Sequence, residues 1–76
     1  MVIASHLAMK LTITFGRNVR LTRQKRGLTI EALADAVGLA YSYVGEIERG
    51  RRNPTLAVVE KIGKALGVQA VELLTE

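Results

Sequence analysis

The chain has no cysteine and no tryptophan, and only one phenylalanine, one proline and one histidine. Without cysteine there is no disulfide and no thiolate metal site, which fits a reducing compartment and points to the cytoplasm. With His6 as the lone imidazole, no histidine cluster exists for catalysis or metal binding. No phosphate-cradling glycine loop and no carboxylate pair offers itself as an active centre, so an enzyme is not expected, nor a metal, cofactor or small-molecule ligand. Long apolar runs are also missing. The opening Met1 to Met9 is apolar apart from Ser5 and His6. It is much shorter than the ~20 residues a membrane span needs, and it has neither the charged start nor the cleavage site of a secretory signal. No membrane association is therefore expected. Met9 offers a second start, which leaves the native status of residues 1–8 open.

What is present is a chain of 76 residues, 49% hydrophobic and 24% charged, the balance of one small globular domain. So short a chain buries a small core, and its stability is modest or shared with a second copy. The formal net charge is +4. Lys10, Arg17, Arg20, Arg23, Lys25 and Arg26 all precede the first acid, Glu31, and Arg49, Arg51 and Arg52 form a second cluster. Such a distribution favours a polyanionic partner, with phosphate backbones the obvious one.

The chain reads as a series of helices. Over Lys10 to Phe15, Leu11, Ile13 and Phe15 alternate with Thr12 and Thr14, which predicts a short extended arm over residues 1–13 ahead of a domain at 14–76. Thr14 would cap a first helix carrying Phe15 and Val19 inward, and Gly27 would end it. Thr29 caps a second helix, Ile30 to Val37, with Ile30, Leu33, Ala34 and Val37 as its buried stripe. Gly38 closes it, and only Leu39 and Ala40 separate that glycine from a third helix, Tyr41 to Arg49. Two short helices across a tight glycine turn form a helix-turn-helix unit. Ala34 lets the third helix cross closely, and Leu39 plugs the turn. After Asn53-Pro54, Thr55 opens a fourth helix to Leu66, with Leu56, Val59, Ile62, Gly63 and Leu66 facing the core. A last helix, Gln69 to Leu74, would turn Val71 and Leu74 inward. The expected fold is all-α, a compact five-helix bundle.

Arg23, Gly27-Leu28-Thr29, Leu33-Ala34, Gly38-Leu39, Val44, Ile47-Glu48-Arg49-Gly50, Arg52-Asn53-Pro54-Thr55-Leu56 and Ile62 to Val68 form a spaced series. Over Arg20 to Leu74 that series resembles the phage-repressor (Cro/XRE) family of helix-turn-helix regulators. The resemblance implies a lambda-repressor-like fold and a third helix lying in the DNA major groove with its N-terminal residues on base edges. By position these are Tyr41, Ser42, Gly45 and Glu46. Ser42 can donate or accept at a base, and Glu46 can accept from a cytosine amino group. Gly45 offers close approach. The phosphate contacts implied are Thr29 at the start of the second helix, Tyr43, Arg49, Arg51, Arg52 and Asn53. Arg23 and Glu48 match a structural ion pair of the family that holds the reading helix in place. Two positions depart from the pattern. Ala40 stands where a capping side chain is common, and Ile30 stands where a glutamine often reaches a phosphate.

One such domain makes few base contacts, so two copies on a palindrome are expected. Val58, Ala65, Val68, Val71 and Leu73 on the last two helices are the candidate homodimer surface, with the Leu11-Ile13-Phe15 arm as a second. In its Ile47 to Leu56 segment, and with no effector domain expected, the chain is similar to restriction–modification controller proteins. A phage-type repressor fits as well, and so does an antitoxin acting mainly through a protein partner.

Overall fold

The computed structural model describes residues 2–76, with side chains from residue 10 onward. Expectations that rest on the side chains of Met1 to Met9 lie outside the described residues. The elements are α1 (Val2–Lys25), α2 (Ile30–Val37), α3 (Tyr41–Glu48), α4 (Leu56–Leu66) and α5 (Ala70–Leu73), and no strand occurs among the described residues.

α1 overturns the extended arm. A lone strand leaves its backbone donors and acceptors unpaired, whereas a helix satisfies them internally. Once helical, the chain turns Phe15, Val19 and Arg23 inward at four-residue spacing, while Leu11 and Ile13 stay about half exposed. Thr14 is therefore no cap: it lies buried in mid-helix. The boundary drawn after residue 13 falls inside the same helix.

The helix-turn-helix unit forms as its residues dictate. Thr29 Oγ1 accepts from the Ala32 N–H at 3.0 Å, which caps α2. Leu33, Ala34 and Val37 are buried beneath α3 and α4. Gly38 takes φ +68°, the left-handed geometry that closes a helix, and the Leu39 N–H returns to the Ala34 carbonyl at 3.0 Å. α3 then starts at Ala40 without a side-chain cap. Its buried residues Val44 and Ile47 meet Val19, Leu33, Ile62, Leu66 and Leu73 in one core fed by all five helices.

Two inward assignments fail. Leu56, expected in the core, is 80% exposed, because it opens α4 one turn before that helix's inner face reaches Val59. In α5, Leu73 is the buried residue, while Val71 is 63% exposed and Leu74 half-buried. The cause is the way the C-terminus docks. Asn18 Nδ2 on α1 donates to the carbonyls of Leu73 and Thr75, both at 2.9 Å, and so rotates Leu73 into the core. Leu73 is consequently part of the monomer's interior and is not available as a dimer surface.

α1 and α3 approach each other closely at Gly16. A methyl group at Gly16 would overlap the carbonyl oxygen of Ile47 and lie 3.0 Å from that of Glu48. Only a residue without a side chain lets the two backbones touch there.

Candidate nucleic-acid interface

α3 has an inner and an outer side, and arginine–glutamate pairs sit on both. On the inner side, Arg23 of α1 reaches Glu48 through Nε to Oε2 at 2.6 Å and Nη2 to Oε1 at 3.1 Å. The third nitrogen, Nη1, donates to the Leu28 carbonyl at 2.7 Å. Both side chains are nearly sealed from water, at 11% and 5% exposed. The hydrogen bonding to Glu48, reinforced by that residue's charge, holds the Arg23 guanidinium above its ordinary pKa despite the burial. With Gly16 below it and this pair beside it, α3 is fixed from behind.

The outer side is open. Tyr41 and Ser42 are exposed at the first turn, and Glu46 is half-exposed one turn further. Glu46 Oε2 accepts from Arg49 Nη2 at 2.9 Å and lies 3.9 Å from Arg51 Nη1. The hydrogen bond from Arg49 and the charges of Arg49, Arg51 and Arg52 hold the Glu46 carboxyl below the usual carboxylate range. The acid that the sequence placed on the expected reading edge is thus neutralised by its neighbours. Tyr43 packs its ring against the core, and the Arg52 guanidinium lies over that ring, 5.7 Å from its centre. Arg51, Arg52 and Asn53 are all exposed in the loop that follows. The Gly50 turn that launches this loop rests on Ile13 of α1.

The structure therefore brings Glu46, Arg49 and Arg51 together, and joins Tyr43 to Arg52, on one surface that includes Tyr41 and Ser42. Thr29, at the head of α2, is exposed, and its capping role leaves its own O–H to donate. Gly45 is placed differently from the expectation. It is buried, because the Arg49 guanidinium covers it, with both terminal nitrogens 3.6 Å from where a methyl group would stand. Val58, Ala65 and Val68 pack half-buried against the core, and Val71 stands free.

Two residues escaped the sequence reading. Gly16 left a signal, an isolated glycine inside a helical pattern, which marks close packing. Asn18 left none, since its partners are main-chain oxygens 55 and 57 positions away.

Comparison with known proteins places this geometry in context. Residues 19–73 match the helix-turn-helix family model HTH_3. The control protein C.BamHI of Bacillus amyloliquefaciens is 45% identical over 65 residues, which span 84% of this chain and 80% of C.BamHI. Among solved structures, the restriction-modification controller C.AhdI from Aeromonas hydrophila aligns with a TM-score of 0.78 and 42% identity, over 82% of this chain and 94% of that one. SinR, a master regulator for biofilm formation solved in complex with DNA, aligns with a TM-score of 0.76 and 32% identity, over 80% and 98% of the two chains.

Proposed function

The chain belongs to the helix-turn-helix family HTH_3, and from that premise we propose that it is a sequence-specific, double-stranded-DNA-binding transcriptional regulator acting as a homodimer on a palindromic operator. The observation that carries the proposal is the two-sidedness of α3. Its inner side is locked by the buried Arg23–Glu48 pair, and its outer side presents Tyr41, Ser42 and Glu46 beside Arg49, Arg51 and Arg52. A rigid helix with a polar edge fits the major groove, and flanking guanidiniums fit the phosphates on either side.

In this reading Tyr41, Ser42 and Glu46 meet base edges. Thr29, Tyr43, Arg51, Arg52 and Asn53 contact the sugar-phosphate backbone. Val71, with Val68 and the edges of Val58 and Ala65, contributes to the contact between copies, which sets half-sites about 34 Å apart. No helix among the described residues is long and apolar enough to cross a membrane. The protein acts in the cytoplasm and regulates by occupying its site rather than by catalysis. The similarity to C.BamHI and C.AhdI favours a restriction–modification controller within this class.

The test is a gel shift against random duplex with rising salt, followed by selection of bound duplexes from a random pool. Affinity should fall steeply with salt, by about 0.9 log unit per log unit of salt for each phosphate contacted. The selected duplexes should share an inverted repeat. The competing role, as an antitoxin-like protein binder, draws on one observation: an apolar groove lined by Leu11, Phe15, Pro54, Leu56, Val59 and Leu74. A protein that shifts no duplex at low salt would select that role instead.

A further inference from the structure

Arg49 differs from the arginines that follow it. Arg51 and Arg52 extend from the loop beyond α3, whereas Arg49 is the helix C-cap and folds back along the helix. Its guanidinium lies over Gly45, and its Nη2 is bonded to Glu46 at 2.9 Å. Ser42, Gly45 and Arg49 stand at i, i+3 and i+7, so they share one face of the helix. With no side chain at Gly45 that face is low at its middle, and the guanidinium lies over it, 3.6 Å from where a methyl group would stand. A charge expected on the phosphates is thereby laid along the edge that carries Ser42.

We infer that Arg49, laid across Gly45 and oriented by Glu46, is a base-reading residue of this helix and that its target is guanine. The inference deepens the DNA-binding reading above and rests on it. A guanidinium has five N–H donors in a fixed fork. One is spent on Glu46, and the others are left for the paired acceptors O6 and N7 that guanine alone presents in the major groove. Holding a long side chain in place before binding removes part of the ordering cost that an unrestrained arginine meets at the interface. A phosphate contact needs no such orientation, and lysine serves there as a point charge. Glu46, beside the base edges, is then also the positioning residue for Arg49, which accounts for an acid on a surface facing DNA.

The experiment is selection of duplexes from a random pool by the unaltered protein and by Arg49→Lys, Arg49→Ala and Glu46→Gln, with each variant's far-UV circular dichroism compared first. Arg49 is exposed on the outer side of α3, so its variants should fold. The expected result is that both Arg49 variants lose the preference for one G·C pair per half-site. Discrimination against its replacements should drop by about 10- to 100-fold. Arg49→Lys should do this with its salt dependence unchanged, and Glu46→Gln should relax the same pair to a smaller degree. The inference is overturned if Arg49→Lys keeps the full preference while Arg49→Ala weakens every duplex alike, because that pattern belongs to a phosphate contact. If the unaltered protein binds no duplex at any salt, the DNA-binding reading fails at its first step, and this inference goes with it.

Discussion

α3 carries two glutamate–arginine pairs that are chemically alike and physically opposite. Glu48 meets Arg23 through two hydrogen bonds, with water nearly excluded, and Glu46 meets Arg49 through one, with the arginine 55% exposed. In the first pair each charge has left water and depends on its partner, so removing one strands the other. In the second, solvent stands ready to replace either partner, and the interaction is weak and exchangeable. The same two residue types thus fix the helix on one side and only orient each other within reach of solvent on the other. An interface whose side chains must stay within reach of DNA belongs on the exposed side. A scaffold that must not move belongs on the buried one.

The sharpest way to break this contrast is to truncate both arginines. Arg23→Ala leaves Glu48 buried without a cation and the Leu28 carbonyl without a donor. It should cost about 3–5 kcal/mol, enough to unfold much of so small a domain, as read by urea or thermal denaturation. Replacing both partners with apolar residues of similar size, Arg23→Met with Glu48→Leu, should recover most of that loss. Arg49→Ala should leave the melting transition nearly in place. Equal melting losses for the two single variants would erase the distinction between the pairs.

Gly16→Ala comes next in size. The added methyl meets main-chain oxygens of Ile47 and Glu48, which cannot rotate aside, so α1 and α3 must separate. Overpacking of this kind costs about 1–3 kcal/mol or more, again read from denaturation. A variant as stable as the parent would mean that α3 is not held from behind by contact with α1.

The inner side of α3 was more legible than the outer one, for physical reasons. Apolar periodicity, the caps Thr29 and Thr55 and the closing glycine Gly38 are local signals, and α2 and α4 occupy the residues those signals assign. The stretch from Lys10 to Phe15 misled because six residues can alternate inside a helix by chance. What decides between the two states is the absence of a partner strand, which is a non-local fact. Val71 and Leu73 exchanged their expected roles because the rotation of α5 is set by Asn18, far away in sequence. On the outer side, the family resemblance named Glu46 and Arg49 but could not say that the arginine lies over Gly45. That depends on a side-chain conformation chosen by the acid beside it.

A smaller effect separates grip from scaffold on the outer side. Arg52→Ala removes a cation from over the Tyr43 ring, an exposed contact worth about 0.5–1 kcal/mol, so the melting temperature should fall only slightly. DNA affinity should fall for all sequences together, and the salt slope should flatten by about one unit. A change in which sequence is preferred would make Arg52 a reader instead.

The smallest effect tests whether charge is what positions Arg49. The Arg49 hydrogen bond, with the charges around it, holds the Glu46 carboxyl below the usual range. A group whose folded pKa is depressed contributes stability above its unfolded pKa and loses that contribution as pH falls through the folded value. Glu46→Gln should therefore melt slightly below the parent near neutrality, and the gap should close as the pH is lowered past the ordinary carboxylate range. Added salt should narrow it as well, since the pair faces water. Glu76 will superimpose a similar acid loss in both proteins, because its carboxyl is lowered by its bond to Lys10, so the informative quantity is the difference between parent and variant. A gap that persists unchanged into acid would show that the glutamate holds the arginine by shape and hydrogen bonding rather than by its charge, and the two pairs of α3 would then be less different than their burial implies.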